Sequence, residues 1–324
     1  MTTMKAIVQD VYGSDEVLRL DDVARPIAGD GDVLIRVRAA GISRGTVHLM
    51  TGEPYLLRLG FGLRAPKNRV LGQDVAGTIV ATGPNTTRFA VGDQVFGIAR
   101  GSFAEYAVAP ETKLAHKPIT MSFTEAAAMP VSGLTALRAI DATRVHSGQT
   151  VLVVGASGGV GTYAVQLAVA AGATVTGVAS TAKTQFVKDL GAADVIDYTA
   201  EDFADGSRTF DVVLDIGGAT PIKRLRRALS ATGTLAIVGG ESGATWSPGL
   251  GRQLHATLLN PFVSHRLTMV MNKEHYSGLE RLAAHVDDGS VVSFTDRPFV
   301  LADAPDAVRH FVAGKALGKV VITI

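Results

Sequence analysis

Residues 151–171 read VLVVGASGGVGTYAVQLAVAA, a run that joins an apolar strand, a glycine turn and a helix with one buried face. Val151, Leu152, Val153 and Val154 show no polar alternation, the pattern of a strand covered on both faces of a parallel sheet. Gly155 breaks the run. From Val160 the apolar positions Val160, Ala164, Leu167, Ala168 and Ala171 recur at three- and four-residue steps, which is helical spacing. Ser157, Gly158, Gly159, Val160 and Gly161 form the corner between the two. Its three glycines put no side chain between the backbone and a pyrophosphate, and a helix start offers unpaired N–H groups and the positive end of its dipole. The spacing GxxGGxG is one residue longer in the turn than the GxGxxG dinucleotide fingerprint. Glycine turns of this kind also serve packing alone.

The segments after the turn strengthen the ligand reading. Thr174–Val178, Asp194–Ile196, Val212–Leu214 and Thr234–Val238 read as further apolar strands, with a helix over Ala182–Leu190, so strand and helix alternate as a doubly wound parallel sheet requires. An NAD site carries Asp or Glu at the end of its second strand to hold the ribose hydroxyls. This chain reads GVASTAK there, with no acid, two neutral hydroxyls in Ser180 and Thr181, and Lys183 as a cation for a 2′-phosphate. NADP(H) is therefore expected over NAD(H), against the plainer reading of Lys183 as a solvated side chain.

The flanks differ in character. Lys5–Gln9, Val33–Val37, Gly77–Ala81 and Tyr106–Ala109 read as short strands between Gly, Pro and Asp turns. Arg58–Arg69, RLGFGLRAPKNR, has no clear period and reads as a loop over a cleft. Ser122 and Glu125 form a capping box opening Phe123–Ala128, and Leu134–Ala142 reads as a second helix. Past a Gly/Ser loop at Gly239–Pro248 come a sixth strand over Arg266–Met271, a helix over Tyr276–Val286, an extended piece at Pro298–Leu301, a helix over Pro305–Val312 and a strand over Lys319–Ile324. This β-rich tail is expected to return to the first domain. The domains are read as 1–116 with 274–324, and 117–273 between them.

Composition narrows the class. The 324 residues carry 31 Lys and Arg against 30 Asp and Glu, a net charge of +1, so no basic footprint points to nucleic acid. The Lys223–Arg227 cluster, KRLRR, holds Leu225 and follows Pro221, which fits a solvated helix face. With no cysteine among its residues, the chain has neither disulfides nor thiolate zinc ligands nor a cysteine nucleophile. No apolar run of about 18 residues occurs, so a cytoplasmic protein with no membrane partner is expected.

Over nearly its whole length the chain resembles the medium-chain dehydrogenase/reductase superfamily, and within it the zinc-free quinone oxidoreductase branch that includes zeta-crystallin. The resemblance rests on MKAIV at Met4, AAGI at Ala39, LGQDVAGTIVATG at Leu71, VGDQVFG at Val91, GSFAEYAV at Gly101, GASGGVG at Gly155, GAADVIDY at Gly191, FDVVLDIGG at Phe210 and GKVVITI at Gly318, in family order. It implies an α/β protein: a Rossmann doubly wound parallel sheet plus a GroES-like β-rich catalytic domain built from both ends of the chain. It further implies NADPH-dependent hydride transfer to quinones, enals or enones in a homodimer, with Arg266–Met271 as the edge strand that pairs across the two-fold.

Zinc-dependent relatives place Cys in GIC and His in GHE. Here GIS at Ser43 and GQD at Gln73 and Asp74 stand at those positions, and hydroxyl and amide are poor zinc ligands. Without zinc, a conjugated acceptor is the easier substrate, because charge spreads onto an enolate or phenolate that needs only donors and a later proton. Tyr55, in a loop after Pro54, is one proton donor to consider; His48, where alcohol-oxidising relatives keep a relay histidine, is another. For each, a packed or surface residue is the alternative. The resemblance places Ser43 where family members contact nicotinamide with Asn, Thr135 near the phosphates or nicotinamide, Ser180 and Lys183 on the 2′-phosphate, Tyr198 by the adenosine, Gly217 and Gly239 along the cleft, and Lys319 at its far edge. The substrate lining is expected from Arg58–Arg69 and Gly240–Asn260. A zinc-free ketone reductase or alcohol oxidase, and a non-enzymatic cofactor-binding sensor or structural protein, remain as rivals.

Overall fold

The structure is a computed structural model that describes residues 2–239, 256, 258, 260, 263–270 and 274–324. In chain order its elements are β1 (Thr3–Val8), β2 (Arg19–Ala24), β3 (Asp32–Gly41), α1 (Arg44–Thr51), α2 (Arg58–Phe61), β4 (Asp74–Thr82), β5 (Gln94–Ile98), β6 (Tyr106–Pro110), β7 (Leu114–His116), α3 (Phe123–Ala128) and α4 (Pro130–Thr143). The alternating region comes next, with β8 (Thr150–Val154), α5 (Gly159–Ala170), β9 (Thr174–Ala179), α6 (Thr184–Asp189), β10 (Asp194–Asp197), β11 (Phe210–Asp215), α7 (Ile222–Arg227), β12 (Leu229–Ile237) and β13 (Arg266–Met269). The chain continues through α8 (Tyr276–Asp287), β14 (Thr295–Val300), α9 (Ala304–Val312) and β15 (Lys319–Thr323). Among the described residues no helix is long and apolar enough to cross a membrane. The loop read at Gly239–Pro248, most of Gly240–Asn260, and Met271 lie outside the described residues.

Two compact units form. The first holds Met1–Leu134, Glu274–Asp288 and Ser293–Ile324, and the second Thr135–Lys273 and Gly289–Val292. The helices read as opening the second domain at 117 thus lie with the first unit as far as Leu134. Gly41 of β3 shows why: a Cβ on it would collide with the carbonyl oxygen of Ala127, so α3 rests directly on the strand. The return of the chain to the second unit at Gly289–Val292 is fixed by Gln166 of α5, which donates to the Val292 carbonyl at 3.0 Å and accepts its N–H at 2.7 Å.

The second unit is a six-stranded sheet in the order β10-β9-β8-β11-β12-β13, parallel throughout. The apolar run at 151–154 is its centre, buried on both faces as the lack of alternation predicts. Leu152, Ile196, Val213, Leu235 and Leu267 from five of its strands share one core. After β8 the chain moves to one side of the sheet and at β11 to the other, which leaves a crevice at the C-terminal ends of these two strands. α7 carries the basic cluster with Leu225 fully buried, the solvated helix face its spacing predicts.

The first unit is a seven-stranded sheet in the order β14-β15-β3-β4-β5-β7, with β6 also on β3, beside the antiparallel β1-β2 pair. The tail strand β15 pairs antiparallel with β3, Val321 opposite Gly41. One core gathers Ile7, Ile42, Met50, Phe103, Val308 and Ile322, and another Val33, Ile35, Val75, Ile79, Val95 and Leu114. Three strands escape a reading of the sequence. β2 is charged and largely exposed, and β5 and β7 are too short to show a period. Part of the segment read as a loop at Arg58–Arg69 is the single helical turn α2.

Candidate active site

At the end of β8 the carbonyl of Val154 accepts N–H groups from both Ile216 and Gly217, each at 3.0 Å, which draws the loops after β8 and β11 together. The glycines of the turn then separate by role. Gly155 has φ +87°, and a Cβ on Gly161 would collide with the Gly155 carbonyl oxygen, so the fold itself requires glycine at 161. Gly158, the N-cap of α5, is exposed, and a Cβ there would meet nothing nearer than that same oxygen at 3.5 Å. Gly217 is also exposed, with its nearest neighbour at 3.7 Å, whereas a Cβ on Gly239 would strike the Ile216 carbonyl oxygen. The fold leaves Gly158 and Gly217 free to be glycine for a ligand's sake. Asp215, fully buried, organises this rim: its carbonyl accepts the N–H groups of Val238 and Gly239 at 3.1 and 3.0 Å, and its carboxylate accepts that of Gly218 at 3.2 Å.

At the end of β9, Ser180 caps a tight turn over Thr181–Lys183. Tyr198 stands beside it, since its N–H donates to Ala179 at 3.1 Å, and its side chain is 60% exposed. Lys183 is half-buried in the turn, and Thr135 half-buried on α4. Between Ser180 and Tyr198 lies an acid that sequence reasoning missed. Asp197 ends β10 opposite Ala179 and accepts the N–H and hydroxyl of Thr199 at 2.9 and 2.7 Å. Hydroxyl bonds from Thr181 and Thr199 hold its carboxyl below the usual range. The acid absent from the second strand thus stands at the end of the third, and the signal was DVIDY, with Asp197 directly before Tyr198.

The first unit contains a cavity of about 200 Å³ walled by Gln9, Leu49, Phe61, Gln73 and Gly101, among others. α1 brings Leu49 there. Its start is a reciprocal cap in which the Thr46 N–H donates to Ser43 Oγ and the Ser43 N–H to Thr46 Oγ1, both at 3.4 Å; its end is Gly52 in the left-handed region. The Ser43 hydroxyl, buried, is engaged in that cap. Gln9 Nε2 donates to the Leu49 carbonyl at 3.1 Å and ties the helix to the strand β1. His48 and Tyr55 are both half-buried but do not stand on the cavity wall. The guanidinium of Arg58 lies over the Tyr55 ring at 4.4 Å.

Directly after Gln73, Asp74 is completely buried. Its Oδ1 accepts the Val131 N–H at 2.7 Å and its Oδ2 the Lys319 ammonium at 3.2 Å. Burial pushes the Asp74 carboxyl up, against the opposing pull of Lys319. Lys319 is 1% exposed, which places it in the interior of this unit, on β15, and not at an open edge. The donor set here does not fit zinc: the Ser43 hydroxyl caps a helix, Gln73 offers an amide, both Asp74 oxygens are engaged, and the sequence has no thiolate. Among the described residues no three His, Cys, Asp or Glu side chains are grouped as metal ligands.

Residues 29–119 match the alcohol dehydrogenase GroES-like domain and residues 190–322 the family described as zinc-binding dehydrogenase. The chain is 32% identical to 2-methylene-furan-3-one reductase of Solanum lycopersicum, over 98% of this chain and 79% of that one. The quinone oxidoreductase of Coxiella burnetii superposes with a TM-score of 0.88 at 29% identity, covering 100% of both chains. A mycobacterial protein solved in complex with NADPH superposes with a TM-score of 0.84 at 29% identity, covering 99% of this chain and 100% of that one. With a six-stranded nucleotide-binding sheet, a GroES-like unit closed by its own C-terminal strand and a glycine turn at the switch point, the chain belongs to the medium-chain dehydrogenase/reductase superfamily, in its zinc-free quinone oxidoreductase branch.

Proposed function

We propose that the protein reduces quinones and α,β-unsaturated carbonyls with NADPH and without a metal. The observation that carries the reading is the division among the glycines: Gly158 and Gly217 face solvent at the sheet crevice where the fold would accept a side chain, so a bound backbone-hugging group is the reason for glycine there. Ser157, Gly159, Val160 and Gly161 complete the pyrophosphate seat, with Thr135 and Gly239 at its margins. Ser180, Lys183 and Tyr198 receive the adenosine and its 2′-phosphate. The relatives are named for a quinone, for a methylene-furanone and for a complex with NADPH, which supports a conjugated acceptor and this cofactor.

A bound reduced nicotinamide supplies the hydride. The chain's own contribution is to hold the acceptor, stabilise charge on its oxygen and deliver one proton to that oxygen. We assign to Gln73, on the cavity wall, a carboxamide N–H donated to that oxygen, with Leu49 and Phe61 as the apolar sides. Tyr55 Oη, beside Arg58, and the His48 ring, on α1, are the proton sources we assign; both stand off the wall of this cavity, so each would pass its proton through a bridging water. Ser43 serves the site through α1, whose start it fixes, and Lys319 through Asp74. We also propose a homodimer formed through β13, the terminal strand of the six-stranded sheet among the described residues.

Loss of NADPH absorbance with a panel of quinones, 2-alkenals, enoyl thioesters and saturated ketones, with and without chelator, tests the reading. Chelator-insensitive oxidation with a conjugated acceptor, and weaker use of NADH, are expected. Turnover of saturated ketones alone, or binding of NADPH with no turnover at all, would replace it with a ketone reductase or a sensor.

A further inference from the structure

Residues 55–67 read YLLRLGFGLRAPK, and the fold turns this segment inside out. Its anchor, Arg58, points inward. Arg58 donates to the carbonyls of Gly52 at 2.9 Å and Thr51 at 3.3 Å, and its guanidinium lies between the rings of Tyr12 and Tyr55, 4.5 and 4.4 Å from their centroids. The Tyr12 hydroxyl donates to the Gly62 carbonyl at 2.8 Å. The apolar side chains point outward: Leu56, Leu59, Phe61 and Leu63 are 46%, 68%, 45% and 67% exposed. Beside them Arg64 and Lys67 are exposed, and neither takes part in an ion pair among the described residues.

Scattered apolar residues on a surface need no explanation, but four large ones on one short segment, held out by polar anchors behind them, do. The segment is a tight turn followed by one helical turn, so it offers neither a strand edge nor a long helical ridge for a shape-specific protein partner. It offers hydrocarbon flanked by two uncompensated cations, which is complementary to the acyl boundary and negative headgroups of a lipid bilayer. The same segment is also a wall of the 200 Å³ cavity, through Gly60, Phe61, Pro66 and Lys67.

We propose that residues 56–67 seat the protein on an anionic lipid bilayer, and that lipophilic acceptors pass from the bilayer into the cavity behind Phe61. The passage of acceptors rests on the proposed function; the seating does not. The association is peripheral, so a search of the sequence for spanning segments does not detect it.

Sedimentation of the full chain, without cofactor, with vesicles of phosphatidylcholine and of a phosphatidylcholine–phosphatidylglycerol mixture tests the seating. The mixture is expected to bind at least about ten-fold more tightly, since each cation near an anionic surface contributes roughly five-fold, and added salt should weaken it. Leu59→Ser with Leu63→Ser, and separately Arg64→Glu, are expected to lower vesicle binding about ten-fold while the melting temperature stays unchanged, because these side chains are exposed. Equal or absent binding to both vesicles overturns the proposal, as does undiminished binding by the variants. A lower mass of the leucine variant in sedimentation velocity, with vesicle binding intact, would assign the patch to a second copy of the chain. If vesicles bind but no conjugated acceptor is reduced, seating stands and delivery falls; if soluble quinones are reduced but vesicles are ignored, the function stands and the seating falls.

Discussion

The glycine turn of the second unit and the cavity of the first differ in how their parts are spread along the chain. The turn is almost complete within residues 154–161, with Ile216 and Gly217 on the Val154 carbonyl and the Val178 carbonyl under the Ala156 N–H as its distant contacts. The cavity gathers residues near positions 9, 49, 61, 73 and 101, and the pair behind Gln73 joins Asp74 to Lys319. A contiguous site is specified by local backbone geometry and survives changes elsewhere. A dispersed one is only as well placed as the long-range contacts that assemble it. The two regions should therefore fail in different ways when altered.

The largest expected effect is on the dispersed side. Lys319→Met leaves Asp74 buried without its ammonium and should lower the stability of the first unit by about 3–5 kcal/mol, with Asp74→Asn in the same chain restoring much of it. Urea unfolding measures both, and a neutral Lys319→Met would mean that the pair does not hold this unit together. On the contiguous side the two glycines should part company. Gly161→Ala drives a Cβ onto the Gly155 carbonyl and should cost about 1–3 kcal/mol of stability. Gly158→Ala should melt like the parent but bind NADPH roughly ten-fold more weakly, about one hydrogen bond's worth. Fluorescence titration and thermal melts on the same samples separate the outcomes; equal behaviour of the two variants would erase the distinction between fold and ligand glycines.

The smallest effect probes how self-contained the turn is. Asp211 opens β11 and accepts the N–H and hydroxyl of Thr150 of β8, each at 2.9 Å, which sets the register of the two strands beneath the turn. These donors, led by the Thr150 N–H, hold its carboxyl below the usual range. Its contribution is therefore complete above the unfolded carboxylate value near 3.9 and is lost as pH falls through the lower folded value. Asp211→Asn should cost about 1 kcal/mol at neutral pH, and the gap to the parent in urea midpoint should close as the acid range is entered. A gap independent of pH would show that the carboxylate's charge is not what matters.

Legibility in the sequence divides along the same line. The unbroken run at Val151–Val154 and the helical spacing after it place β8 at the centre of the sheet, and the Ser122–Glu125 box caps α3 with both of its reciprocal bonds. Each of these lies within a few residues. β2 carries charge in place of an apolar stripe and β5 and β7 are short, so none announces itself. Gln9, a lone amide after the first strand, gives no sign of belonging to a cavity, because the helix that receives its hydrogen bond is 40 residues away. Asp197 is plain in the sequence, but its nearness to Ser180 depends on the parallel register of β9 and β10. Lys319 matches a family position, yet nothing near it in the chain foretells that Asp74 would be its partner.

The pairing of Val321 with Gly41 has a further consequence for how the protein is made. The strand that completes β3 leaves the ribosome long after β3 itself, by which time most of the nucleotide-binding sheet has emerged and can close on its own. Until then Ala39–Gly41 present an unpaired edge, the kind of feature that chaperones shield and neighbouring nascent chains adhere to. Translation that stalls within residues 300–320 would release a chain whose parallel sheet can close but whose first unit cannot.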